Sequence, residues 1–316
     1  MITLKGGDIR LPEPCVLAVG KFESIHKGHR ALIGEMLRLA QGAGTLWGGE
    51  LADNRLATAL VVFEPHPYRV LFDPAYKPLL TGPERAHVLE GLGLDYLLEY
   101  PFDGDFSAMS PDDFCRKLYV ELQAQVVVVG QGYRFGRKRA GTVDTLRQYA
   151  TEYDRLVHEV TPQLAAEGGK TSTSAIRALL LENKLSEAES LLGYPFFVMG
   201  TVTPGRQLGR TIGFPTINLY PPEDKFLPTD GVYATRNFLD DRAYNGITNV
   251  GVRPTVEGAG APRSVETYLL GFEGGDLYGK PIRTEFLRFI RPEKKFDSLE
   301  ALKAQILEDL GTHLPS

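Results

Sequence analysis

The chain has 316 residues, 43% of them hydrophobic and 10% aromatic, enough for about two globular domains with cores of their own. Lysine and arginine total 35 against 40 acidic residues, and a net charge of −5 excludes the dominant basic surface that broad nucleic-acid binding needs. Cys15 and Cys115 stand far apart with no CxxC spacing, there is no signal-peptide core, and no apolar run approaches membrane-spanning length, so the sequence predicts a soluble, cytoplasmic protein without disulfides, zinc or a membrane partner.

From residue 15 to about 190, short β-type runs alternate with helix-type segments, the pattern of a parallel sheet flanked by helices. Cys15–Gly20 reads as a buried strand. The helix after it carries Ala31, Leu32, Met36, Leu37 and Leu39 on one face. Between the two lie His26 and His29, placed to share the first turn of that helix and to point at one ligand beside its exposed N–H groups. Lys27 adds positive charge, and Gly28 leaves room for a phosphate to approach. Two surface histidines on a loop are the plain alternative. Further strands are predicted over 57–63, 94–100, 125–130 and 156–160, with helices near 83–91, 111–122 and 142–153. Ligands collect at the carboxyl ends of strands in such sheets. Gly20 through His29, Glu64-Pro65-His66-Pro67 and Gly130 through Gly136 all fall there. Arg134 with Arg137-Lys138-Arg139 forms a basic cluster, which on most proteins is only a solvated loop. Helices over 173–182 and 185–192 close this half.

After Gly193-Tyr194-Pro195 the rhythm changes to β-runs over 197–203, 231–237, 244–250, 265–271 and 282–290, which predicts an all-β barrel. A helix from Ser298 to Leu310 should pack onto it, with Ser298 as N-cap.

The β half holds a second candidate phosphate site. Gly205, Gly209 and Gly213 permit tight turns, and Arg206 and Arg210 offer guanidinium forks to phosphate oxygens. If the chain is extended at Thr216 and Asn218, their hydroxyl and amide oxygen face the same side. Such hard oxygen ligands suit Mg2+ when ATP supplies the rest of the shell. A Gly-rich hairpin is the plainer reading for an arbitrary sequence. Gly274 through Lys280 has P-loop spacing, but Pro281 stands where Ser or Thr is required, so it reads as a β-turn. Glu266 is polar within an alternating strand. Most such residues face solvent, but one pointing into a barrel mouth beside ATP would accept a proton.

These segments together resemble the prokaryotic bifunctional riboflavin kinase/FAD synthetase family over nearly the full length. The resemblance rests on GKFESIHKGH (20–29), FEPHP (63–67), Leu79 through Asp95, Pro101-Phe102-Asp103, Gly130 through Gly136, TSTSAIR (171–177), GRTIGFPTIN (209–218), DGVYA (230–234), NVGVRPT (249–255), Glu266 and LYGKPI (277–282). It implies an α/β Rossmann-like nucleotidyltransferase domain over 1–188 and an all-β six-stranded riboflavin-kinase barrel with a C-terminal helix over 189–316. It implies that ATP phosphorylates riboflavin to FMN in the barrel and that a second ATP adenylylates FMN to FAD in the first domain. Each step needs Mg2+, with FMN and FAD as products rather than prosthetic groups. Glu266, His26 and His29 inherit catalytic roles. Gly20, Phe22, Gly28, Lys170, Thr173, Ser174, Arg177, Gly205, Arg206, Gly209 and Arg210 inherit ATP or phosphate binding. Arg134, Phe135 and Arg291 are expected to border flavin, and Thr216 and Asn218 to hold the metal. Homo-oligomerisation stays open.

The chain departs from the family pattern at Glu23-Ser24, where Asp-Gly is usual, at Gly132, where Asn or Asp is common, and in the order of Thr and Ser in TSTSAIR. Ile217 replaces the usual alanine. Two other readings remain: a riboflavin kinase whose degenerate N-terminal domain is a nucleotide- or flavin-binding regulatory module, and a flavin carrier without turnover.

Overall fold

A computed structural model describes residues 1–42, 55–161, 172–204, 214–240, 242–252, 263–272, 275 and 277–313. They form two compact units, Met1–Ser172 and Thr173–Ser316.

The first unit is built on a six-stranded parallel sheet of order β1-β4-β3-β2-β5-β6. Its strands are β1 (Ile2–Lys5), β2 (Cys15–Val19), β3 (Ala57–Glu64), β4 (Tyr96–Pro101), β5 (Ala124–Gly130) and β6 (Leu156–Val160). β2 is buried at every position and β3 at all but its last, because helices cover both faces of a parallel sheet. That is why these strands read as unbroken apolar runs. β1 was not expected from the sequence: it is short and mostly exposed, and it holds the sheet edge through a Lys5–Glu99 ion pair of 2.7 Å.

The helices begin where their caps permit. α1 (Lys27–Gln41) is capped by His26, α2 (Pro67–Leu71) by His66, and α3 (Gly82–Glu90) by a Thr81–Glu84 capping box. α4 (Gly104–Ala108) follows Asp103, α5 (Pro111–Arg116) follows Ser110, and α6 (Val143–Glu152) follows Thr142. The single helix expected over 111–122 changes to a π-turn over Lys117–Glu121, closed by Leu122 N–H donating to the Lys117 carbonyl at 3.0 Å. Strand order reverses at β2, whose neighbours are β3 and β5, so the carboxyl ends of β2 and β5 flank the switch point at which ligands of such sheets bind.

The second unit starts with α7 (Thr173–Leu181) and α8 (Leu185–Leu192). The sequence reading put these helices at the close of the first half, but they bond within the second unit. Thr229 Oγ1 donates to the Leu181 carbonyl at 2.7 Å, and the Tyr233 hydroxyl donates to Asn183 Oδ1 at 3.2 Å. A six-stranded antiparallel sheet follows, of order β7-β12-β9-β10-β11-β8. Its strands are β7 (Phe197–Thr201), β8 (Thr216–Leu219), β9 (Gly231–Leu239), β10 (Arg242–Val252), β11 (Arg263–Leu269) and β12 (Pro281–Arg291). Irregularities between Phe286 and Arg288 and between Phe289 and Arg291 bend β12. The sheet curls until one antiparallel bridge, Thr203–Asn218, links its two edges. Inside it, Thr284, Asn237, Thr235, Thr248 and Thr267 form a buried polar chain across four strands, each link between 2.8 and 3.0 Å. α9 (Leu299–His313) completes the unit. The described end of the P-loop-like segment is a turn, with Lys280 N–H donating to the Leu277 carbonyl at 3.1 Å and Lys280 Nζ paired with Asp240 rather than left for a phosphate.

Candidate active sites

The loop leaving β2 is tightly constrained. Gly20 has no side chain because a Cβ there would lie 2.8 Å from the Phe22 ring. Phe22 and Ile25 both hold left-handed φ values, 42° and 40°. His26 then caps α1, with its Nδ1 accepting the His29 N–H at 3.2 Å. In the neutral ring this bond puts the proton on Nε2, so His26 offers a donor on its free side. The two imidazoles stack with centroids 3.8 Å apart and planes 7° from parallel. A Cβ on Gly28 would lie 3.1 Å from the His26 ring, so the absence of a side chain there lets that ring sit over the first turn.

Burial lowers the pKa of His26 to about 4, and burial together with the charge of His26 lowers that of His29 to about 3. Both are therefore neutral near pH 7. His29 Nδ1 is buried and has no hydrogen-bond partner among the described residues.

Across the switch point, β5 leads into Gly130–Gly136. Gly132 has φ 71°, and its N–H lies 3.3 Å from Glu159 Oε1. Its departure from Asn or Asp thus keeps a backbone conformation that those residues and glycine share. Arg134 is exposed in this loop. Phe135, expected to border flavin, is a buried residue: it is 5% exposed, packs 5.0 Å from Phe114, and fills the space that a side chain at Gly141 would need.

In the second unit, Thr216 and Asn218 lie on β8 opposite Tyr268 and Glu266 of β11. The Thr216 hydroxyl donates to Glu266 Oε1 at 2.6 Å, so a hydroxyl, an amide oxygen and a carboxylate fifty residues away converge on one face. Asn218 is buried. Among the described residues no three His, Cys, Asp or Glu are grouped to hold a metal by themselves. A hydroxyl, an amide oxygen and a carboxylate are hard oxygen ligands, a set that fits a divalent cation taking the rest of its shell from a nucleotide. Asn249, the first residue of the NVGVRPT segment, faces Glu266 from β10 and donates to Glu293 at 2.8 Å, extending the polar row.

Thr173 and Ser174 open α7, and the Arg177 guanidinium lies 4.8 Å over the Phe226 ring. The fork of Arg291, expected at the flavin, is occupied: it grips Asp309 of α9 through Nε at 3.0 Å and Nη2 at 2.8 Å. Lys170, Gly205, Arg206, Gly209 and Arg210 lie outside the described residues.

A parallel sheet with a histidine-capped helix at its switch point, joined to a curled antiparallel sheet bearing a Thr–Asn–Glu oxygen cluster, defines a two-unit phosphate-transfer protein. Residues 8–175 match the family model for FAD synthetase and residues 192–314 that for riboflavin kinase. The bifunctional riboflavin kinase/FMN adenylyltransferase of Escherichia coli (strain K12) is 38% identical over 94% of this chain and 91% of its own length. That of Listeria monocytogenes is 34% identical over 93% and 90%. A crystal structure described as a macrolide-efflux protein from Streptococcus pneumoniae covers 98% of both chains at 29% identity and a TM-score of 0.84. The chain belongs to the bifunctional riboflavin kinase/FMN adenylyltransferase family. No described helix is long and apolar enough to cross a membrane.

Proposed function

We propose that this enzyme phosphorylates riboflavin at the Thr216–Asn218–Glu266 cluster and adenylylates the resulting FMN at the His26–His29 pair, with Mg2+ as the divalent metal. Its family makes it a riboflavin kinase and FMN adenylyltransferase that uses ATP and a divalent metal, with riboflavin and FMN as substrates and FAD as product. The observation that carries the residue assignment is the 2.6 Å bond between Thr216 and Glu266, which unites two motifs distant in sequence.

In the kinase step the riboflavin 5′-hydroxyl attacks the γ-phosphorus, the bond to ADP breaks, and the hydroxyl proton passes to Glu266. Thr216 and Asn218 would hold the metal beside it, where the metal neutralises charge on the phosphate oxygens. Arg206 and Arg210 are assigned to the ATP phosphates. In the adenylyl step an FMN phosphate oxygen, already anionic, attacks the α-phosphorus and pyrophosphate leaves, so no base is required. His26 contributes its Nε2–H to the developing charge, and incoming phosphate raises the basicity of both rings. Lys170, Thr173, Ser174 and Arg177 are assigned to the triphosphate, and Arg134 to the flavin side.

The reading of the first domain as a merely regulatory module is not favoured, since the FAD synthetase family model spans residues 8–175. Chromatography of products from riboflavin, ATP and Mg2+, with FMN supplied in a parallel run, tests the assignment. FAD is expected in both runs; folded protein that stops at FMN overturns it.

A further inference from the structure

The Glu-Ser pair at 23–24 sits between the two left-handed residues of the histidine loop, Phe22 and Ile25, and all four side chains are buried. An aromatic and a β-branched residue hold such backbone angles only where their surroundings fix them. Two contacts at Glu23 do so. Its carbonyl accepts the Leu80 N–H at 3.0 Å. Its carboxylate accepts the Tyr76 hydroxyl on both oxygens, at 2.7 and 2.8 Å. His66 Nε2 lies 3.8 Å from Oε2. Because His66 Nδ1 accepts the Tyr68 N–H at 3.2 Å, the neutral ring carries its proton on Nε2, the nitrogen that faces the carboxylate. The Tyr76 ring stacks on His66 with centroids 4.9 Å apart.

We propose that Glu23, held by Tyr76 and faced by His66, is a positioning residue for adenylyl transfer: it ties the histidine loop to the segment after β3 and so fixes where His26 and His29 point. His26 follows Ile25 directly and caps α1, so a shift of the 22–25 backbone moves both imidazoles. An aspartate at 23 would end one methylene short, about 1.5 Å, and would lose the Tyr76 hydroxyl. Glu23 and Tyr76 are in this sense a matched pair. The proposal rests on the assignment of His26 and His29 to adenylyl transfer.

The test uses the full-length enzyme with Tyr76→Phe, Glu23→Asp, Glu23→Gln and the Glu23→Asp/Tyr76→Phe double variant. FAD formation from FMN and FMN formation from riboflavin are measured on the same preparations with ATP and Mg2+. Tyr76→Phe and Glu23→Asp are each expected to lower kcat for FAD formation about tenfold while KM for ATP stays within about twofold, as misplacement of catalytic groups does. The double variant should be no worse than either single, since both break one contact. Glu23→Gln, whose amide oxygen still accepts the Tyr76 hydroxyl, should retain roughly half or more of the rate. FMN formation should not move, and Glu23→Gln should melt close to the wild type, whereas Tyr76→Phe, which leaves a buried carboxylate without its hydroxyl, should melt somewhat lower. Wild-type kcat in the single variants, additive losses in the double, or a loss of FMN formation equal to the loss of FAD formation would overturn the proposal. His29→Ala separates the two levels. If it leaves FAD formation intact, the assignment of the histidines fails and this proposal with it; if it abolishes FAD formation while Tyr76→Phe does not, only the proposal fails.

Discussion

The imidazoles of His26 and His29 stack at 3.8 Å, and the backbone N–H of the second donates to Nδ1 of the first. One ring therefore caps the helix that carries the other. This coupling makes the two non-equivalent: His26 has structural work on one nitrogen and a free donor on the other, whereas His29 has an unmatched buried Nδ1.

His29→Ala should consequently reduce FAD formation from FMN by roughly 100- to 1000-fold, the cost of losing one preorganised electrostatic group. FMN formation from riboflavin should continue, because Thr216, Asn218 and Glu266 belong to another compact unit. His26→Ala should lose FAD formation to a similar degree and also destabilise α1 by about 1 kcal/mol through the missing cap. Steady-state assays of both reactions, with urea unfolding, check this. Equal losses in the two reactions would contradict the assignment.

The lowered pKa values carry a stability consequence. In the unfolded chain both histidines titrate near 6.5, while in the folded protein they do so near 4 and 3. As pH falls below about 6.5 the unfolded state takes up protons that the folded state does not, so the stabilisation present above that pH is progressively lost toward the folded values. Each proton contributes a slope of at most about 1.4 kcal/mol per pH unit, or about 2 kcal/mol per histidine between pH 6.5 and 5. Asp95 and Glu99 have lowered carboxyls that titrate at lower pH, whereas burial pushes the Glu285 carboxyl up, which opposes the histidine trend as pH falls. Urea unfolding of the wild type at pH 7.5 and 5.0 should show the loss, and a His26→Gln/His29→Gln variant should show a flatter profile.

Much of this architecture was legible because burial writes itself into sequence differently in the two halves. β2, β3 and β5 are covered on both faces and read as continuous apolar runs, while β11 alternates because it has one buried face. β1 and the five-residue helices α2 and α4 left no period to detect. The histidine motif and the Thr216–Asn218 pair were local and therefore readable. The bond from Thr216 to Glu266 was not, since it depends on the register of β8 against β11. Phe135 and Arg291 have intramolecular partners that the sequence did not announce, since an aromatic and an arginine look alike in sequence whether they meet a ligand, a glycine or a buried aspartate. Tyr76 lies in a stretch without periodicity, and only folding brings it to Glu23.

The Thr216–Glu266 bond gives the kinase half its own pair of variants. Glu266→Gln keeps an oxygen to accept the Thr216 hydroxyl but cannot take the riboflavin proton, so kcat for FMN formation should fall by about 100-fold or more with KM for riboflavin little changed. Asn218→Ala removes an oxygen assigned to the metal and should raise the Mg2+ concentration needed for half-maximal rate. In both variants FAD formation from supplied FMN should persist. Unchanged Mg2+ dependence in Asn218→Ala would remove that residue from the metal site.

The Arg291–Asp309 pair predicts stability rather than catalysis. Asp309 is 2% exposed, and three hydrogen bonds from the Arg291 guanidinium join α9 to the end of β12. Removing the arginine strands a buried carboxylate, so Arg291→Ala should cost roughly 3 kcal/mol in unfolding of the second unit. Replacing both partners removes the uncompensated charge, and Arg291→Leu/Asp309→Leu should recover most of that loss. Differential scanning calorimetry of the two variants, with riboflavin titrated by fluorescence, separates the roles. A riboflavin affinity that stays near wild type in the double variant makes Arg291 an anchor for α9, whereas a loss that persists after stability is restored returns it to the flavin.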